Sequence, residues 1–158
     1  MSQRLNYFGT SAELAKKYID FNNAVSKSTA KEFKLLVTIR ASQINGCGFC
    51  LDMHVKEARI AGERDLRVHH IAIWHESTLF TPRECAALLW TEALTTLPAH
   101  GVSDETYQRV RAHLSEQEIS DLSFLIMAIN GWNRINVAFR MTPGSADAAY
   151  GLDKADLN

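Results

Sequence analysis

Apolar residues recur at helical spacing along most of the chain. Phe33, Leu36, Val37, Ala41 and Ile44 form one stripe, and Leu122, Leu125, Ile126, Ile129 and Trp132 form another. In each, the steps put the side chains on one face of an α-helix. β-branched runs are rare and helix-start signals are frequent. Thr10 with Glu13, Thr29 with Glu32, and Ser115 with Glu118 each match the capping box, in which a hydroxyl and a carboxylate three residues later satisfy reciprocal backbone donors. Thr81-Pro82-Arg83-Glu84 sets proline at a first helical position, where its missing N–H costs nothing. The pattern predicts seven helices, at roughly 11–24, 30–44, 47–61, 64–75, 82–97, 104–113 and 116–139. Gly62 and Gly101 sit where C-terminal stops are expected, and Pro98 closes the fifth helix. Residues 142–158, with Pro143, Gly144 and Ser145, read as a loosely held tail. The expected architecture is all-α: one domain over 1–158 with its core at about 30–140 and a CxxC at the start of a core helix.

Composition narrows the setting. A chain of 158 residues fits one domain and can bury most of its apolar surface without crosslinks. Three cysteines are too few for a secreted disulfide framework, and a CxxC pair points instead to a reducing compartment with a transient disulfide. Met1-Ser2-Gln3-Arg4-Leu5-Asn6-Tyr7 lacks the apolar run of a signal peptide, and no stretch has the length and apolarity of a membrane span. The expected location is therefore the cytoplasm. Seventeen Lys and Arg against 18 Asp and Glu leave a formal charge of −1, and the basic residues are scattered, so nucleic acid is not an expected partner.

The chemistry concentrates in Cys47-Gly48-Phe49-Cys50-Leu51-Asp52-Met53-His54. On a helix, Cys47, Cys50 and His54 share a face, which suits a base activating a thiol with a second thiol beside it. A thiolate forms readily only where something lowers its pKa, such as a histidine or a helix N-terminus. Asn45 and Gly46 look like the entrance of a helix, which would put Cys47 in the first turn. Zinc is the competing use of these three ligands, with His69, His70 or His75 as a fourth. Crowding of three ligands on one helical stretch argues against it. Cys85, beside Ala86, Ala87, Leu88 and Leu89, reads as an inert core residue.

The segment Ser42-Gln43-Ile44-Asn45-Gly46-Cys47-Gly48-Phe49-Cys50-Leu51-Asp52-Met53-His54, continued by Lys56-Glu57-Ala58-Arg59 and Ala61-Gly62-Glu63, resembles the core of the AhpD-like alkylhydroperoxidases within the carboxymuconolactone decarboxylase family. Trp74-His75-Glu76-Ser77, Leu79-Phe80-Thr81, Ala86-Ala87-Leu88, Trp90-Thr91-Glu92-Ala93-Leu94-Thr95 and Ala128-Ile129-Asn130-Gly131-Trp132-Asn133-Arg134 extend the likeness to small single-domain members. The resemblance implies an all-α fold built on a helical hairpin, assembly into homo-oligomers (trimers or hexamers), and thiol-dependent reduction of organic hydroperoxides; because the two sulfurs carry both electrons, no cofactor is expected. An unidentified thiol or dithiol would return the electrons. The superfamily's decarboxylases lack the paired thiols, so decarboxylation is not expected.

Carried over by position, the resemblance makes Cys50 the peroxidatic thiol deprotonated through His54, and Cys47 the thiol that closes a Cys47–Cys50 disulfide. The residues alone leave the order open: the helix N-terminus favours Cys47 as the more acidic thiol, and the one-turn step to His54 favours Cys50. One departure matters. Relatives carry a glutamate twelve residues before the first cysteine, where this chain has Leu35. Glu32, Glu57 and Glu76 are the candidate substitutes, with Glu76 chosen as the catalytic carboxylate; Phe49 is expected to wall an apolar pocket. A thiol–disulfide oxidoreductase or redox sensor, and a metal-binding or structural oligomer with vestigial thiols, are the alternative functions.

Overall fold

A computed structural model describes residues 2–157, and among these every regular element is helical. The α-helices run in order α1 (Tyr7–Thr10), α2 (Ala12–Ser28), α3 (Lys31–Ile44), α4 (Gly48–Ile60), α5 (Asp65–His70), α6 (Pro82–Thr96), α7 (Asp104–Arg111), α8 (Glu116–Phe139) and α9 (Asp147–Tyr150). Two 3-10 helices, Ile71–Glu76 and Leu152–Ala155, complete the set. No helix among the described residues is long and apolar enough to cross a membrane.

Helix α3 is the hub because it is apolar on more than one face. Phe33 and Val37 pack with Ala87 and Trp90 of α6 and Leu122 and Ile126 of α8. Leu36 and Ile39 meet a second cluster containing Ala58, Ile71, Trp74, Phe80 and Leu88. Each fully buried side chain of this size contributes roughly 1.5–3 kcal/mol, enough to fix where α3 ends and hence where the cysteines begin. Ala41, near the end of α3, belongs to a third cluster that contains both cysteines.

The expected boundaries hold where a cap fixes them. Ser115 accepts from the Glu118 N–H while Glu118 accepts from the Ser115 N–H, and α8 starts and stops where the pattern placed it. Thr81 and Glu84 make the same reciprocal pair at α6. Two of the expected boxes do not form. Helix α2 starts after Ser11, not Thr10, and the Thr29 hydroxyl turns back to donate to the Val25 carbonyl, so α2 runs on to Ser28 and Ala30 precedes α3. The helix expected over 64–75 is broken: α5 gives way to a 3-10 helix with a kink at Ile73. Ile71 and Trp74, three apart and both buried, take the tighter spacing in which i and i+3 eclipse. Leu97, left-handed at φ 40°, ends α6 ahead of Pro98, and Gly101 lies further on in the loop.

Residues 142–157 are not a loose tail. They carry α9 and the second 3-10 helix, which packs on α4, with Leu152 and Ala155 buried. Lys56 on α4 anchors them: its Nζ donates to Asp147 Oδ2 at 2.6 Å and to Asp52 Oδ2 at 3.0 Å, and Asp52 also accepts from the Gly144 N–H at 2.9 Å. The hydrogen bonds it donates, to Asp147 first and then to Asp52, hold the Lys56 ammonium above its usual pKa.

Gly131, inside α8, permits a close crossing. A Cβ there would overlap the Tyr18 hydroxyl and lie 2.8 Å from Tyr18 Cζ, while that hydroxyl donates to the Ala128 carbonyl at 2.8 Å. Alanine would gain about 1 kcal/mol of helix propensity, but overpacking costs about 1–3 kcal/mol and a part-buried hydrogen bond is lost with it. Gly131→Ala is therefore expected to destabilise the fold in denaturant titration; a raised midpoint would refute the crossing.

Candidate active site

The α3–α4 turn sets the thiol pair. Asn45 ends α3, Gly46 turns the chain at φ +63°, which favours glycine, and Cys47 follows in an extended conformation at φ −83°, ψ 93°. Cys47 is thus the N-cap of α4, one position before the first turn in which the sequence placed it. Its sulfur accepts from the Cys50 N–H at 3.3 Å, the role a serine or aspartate takes at such a position. The two cysteines form a disulfide with their Cα atoms 5.3 Å apart. Both are buried, at 1% and 2% exposure, so a reactant reaches either sulfur only if neighbouring groups move. Phe49, Ala41 and Ile129 surround them, with Met53, Trp132, Met141 and Ala146 against that cluster. Phe49, expected to wall a pocket, is a buried member of this packed cluster.

A polar seam on α8 borders this cluster. Asn130, Asn133 and Asn136 recur every three residues, all buried. The first two tie α8 to the end of α3: Asn45 Nδ2 donates to both carbonyl oxygens at 2.9 Å, and Asn133 Nδ2 donates to Ser42 Oγ at 3.1 Å. Asn136 differs. Its Nδ2 donates to Cys50 Sγ at 3.4 Å, and its Oδ1 accepts from the Tyr7 hydroxyl at 2.9 Å. Burial pushes the Tyr7 pKa up to about 12, with Tyr150 adding to it, so the phenol stays a donor. The sequence reading missed Asn136 and Tyr7. The period of three asparagines on an apolar helix face was the available signal, since buried amides need partners.

His54 lies one turn beyond Cys50, and its Nδ1 is 2.7 Å from Glu57 Oε2. With the proton on Nδ1 donated to Glu57, Nε2 is left as an acceptor, the form a general base requires. The carboxylate on His54 is therefore that of Glu57. Glu76, the carboxylate chosen from sequence, sits exposed at the end of the first 3-10 helix. Glu32 accepts from Arg83, which bridges it to Glu118, and Leu35 packs in the second apolar cluster with Leu51.

The remaining candidates have other employment. His75 Nε2 is 3.2 Å from Glu92, which also accepts from the Trp74 indole and from Arg40. His70 Nδ1 lies 3.0 Å from Ser77 Oγ, and His69 is exposed. Among the described residues, no three His, Cys, Asp or Glu side chains gather as a metal cage. Cys85 is half-buried, and burial, followed by the Glu84 charge, pushes its thiol pKa up.

An all-α domain with a cysteine pair at the start of a central helix is the class that this fold and site define. The chain belongs to the carboxymuconolactone decarboxylase family, whose sequence profile matches residues 12–93. The uncharacterized protein YdfG of Bacillus subtilis is 40% identical over 139 residues, covering 87% of this chain and 95% of that one. A crystal structure from Agrobacterium tumefaciens, of a protein of unknown function provisionally assigned as antioxidant defence protein AhpD, superposes with a TM-score of 0.86 at 40% identity, over 90% of this chain and 98% of that chain. The debrominase Bmp8 shares the fold at a TM-score of 0.78 and 22% identity, over 94% of this chain and 80% of its own. The fold is AhpD-like.

Proposed function

We propose that the protein is a thiol peroxidase that reduces organic hydroperoxides through a Cys47/Cys50 disulfide cycle. The observation that carries this reading is the pairing of the two sulfurs at the head of α4, with one bearing a side-chain donor and a histidine–carboxylate pair one turn away. In the reduced protein, the Cys50 thiolate attacks one peroxide oxygen and the O–O bond breaks. The alkoxide leaves as the alcohol, taking a proton, and Cys50 becomes a sulfenic acid. The Cys47 sulfur then attacks Cys50, the S–S bond forms, and the hydroxyl leaves as water. A thiol or dithiol donor restores both thiols with two electrons, so the cycle needs no bound cofactor. His54, oriented by Glu57, takes the Cys50 proton at Nε2.

One equivalent of organic hydroperoxide is expected to convert the reduced protein to the Cys47–Cys50 disulfide with two thiols lost per peroxide, as read by thiol titration and peptide mapping. A bridge through Cys85 would overturn the assignment. Thiols that react with a disulfide substrate but not with peroxide would favour the oxidoreductase alternative.

A further inference from the structure

We infer that the Asn136 side-chain amide, oriented by Tyr7, is the donor that stabilises the Cys50 thiolate; the inference deepens the peroxidase reading and rests on it for its place in turnover. Asn136 is 4% exposed on an apolar stretch of α8, where an amide is costly unless both ends are satisfied. Its partners are a phenol and a sulfur. A thiol or disulfide sulfur is a weak acceptor, so the Nδ2 contact at 3.4 Å adds little in the oxidised protein. When Cys50 ionises, the same contact becomes a charge-assisted hydrogen bond in a site of low dielectric, and its worth rises. A donor whose contribution grows as the charge develops lowers the pKa of the group it faces.

The amide's orientation is fixed by what each end accepts. A thiolate is an acceptor only, so it selects Nδ2, and Oδ1 is then left for a donor, which the protonated Tyr7 hydroxyl supplies at 2.9 Å. Tyr7 acts through Asn136 and is a positioning residue. The other titratable groups around Cys50 are Cys47 at the head of α4, the His54–Glu57 pair one turn on, and Asp52, Lys56 and Asp147 between α4 and the following segment. From α3 and α8, the apolar neighbours in the thiol cluster are Ala41, Ile129 and Trp132, and the polar neighbour is Asn136 itself.

The test is the ultraviolet thiolate absorbance against pH in the Cys47→Ser protein, where serine keeps the N-cap acceptor and Cys85 ionises at higher pH. Adding Asn136→Leu is expected to raise the Cys50 midpoint by about one pH unit, equivalent to a tenfold loss of thiolate near neutrality and a matching fall in alkylation rate. Tyr7→Phe keeps the ring and loses only the hydroxyl, and a smaller rise in the same direction is expected. A residue that merely fills space would lower thermal stability and leave the midpoint in place. An unmoved midpoint in folded Asn136→Leu protein overturns the inference. Should that variant not fold, Tyr7→Phe and the wild-type protein decide: the Asn136 side-chain amide resonance must move with the Cys50 titration, and a flat resonance refutes the contact. Peroxide consumption by the wild type is scored separately. Loss of that activity with a shifting midpoint defeats the peroxidase reading alone, and an active enzyme with an unmoved midpoint defeats only the role of Asn136.

Discussion

Cys50→Ser is expected to abolish peroxide reduction, whereas Cys47→Ser is expected to complete one turnover and stop with a sulfenic acid on Cys50. The difference follows from the separate tasks that the proposed cycle gives the two sulfurs: Cys50 breaks the O–O bond, and Cys47 condenses with the oxidised sulfur. The structure makes the comparison clean, because a serine at 47 still offers an oxygen to the Cys50 N–H that the sulfur now caps. Dimedone-type trapping followed by mass spectrometry reads the outcome. Adduct on Cys47 in the Cys50→Ser protein, with none on Cys50 in the reciprocal variant, would reverse the roles.

His54→Gln is expected to slow peroxide reduction at neutral pH by about 10²–10⁴-fold, the range for loss of a general base. Glu57→Gln should cost less, since it removes the partner that orients the ring and leaves the base in place. Glu76→Gln should leave the rate unchanged. Leu35→Glu should gain nothing: Leu35 packs with Leu51 in an apolar cluster, and a carboxylate there is desolvated while Glu57 already holds His54. Single-turnover rates across the pH range decide the set. A Glu76→Gln loss larger than that of Glu57→Gln would return the carboxylate role to Glu76 and refute the geometry at His54.

Much of the fold was legible because local signals and packing agree. At α8 the Ser115–Glu118 cap and the stripe from Leu122 to Ile129 point to one helix, and both ends fall where the residues place them. Where a local signal stood alone, packing overrode it. Thr29 has a capping residue's chemistry, yet its hydroxyl spends itself on the preceding turn. The segment over 142–157 defeated the pattern for a different reason: proline, glycine and scattered apolar residues carry no period, and its order comes from Lys56, more than eighty positions earlier. The candidate site divides in the same way. Cys47, Cys50 and His54 were visible because they lie within eight residues of one another. Asn136 and Tyr7 were not, because their relation to Cys50 exists only once α1 and α8 have closed on α4.

The surroundings of the two sulfurs come from two separate stretches of the chain. The family profile ends at residue 93, so it includes the cysteine pair and His54 and omits Trp132 and Met141, which pack against the thiol cluster, Asn136, which contacts Cys50, and Asp147, which holds Lys56 of the same helix. Substitutions in the later stretch leave the paired-cysteine signature untouched while changing what packs against the sulfurs. Two relatives can therefore carry the same paired-cysteine signature and differ in the groups, Trp132 and Asn136 among them, that surround the sulfurs.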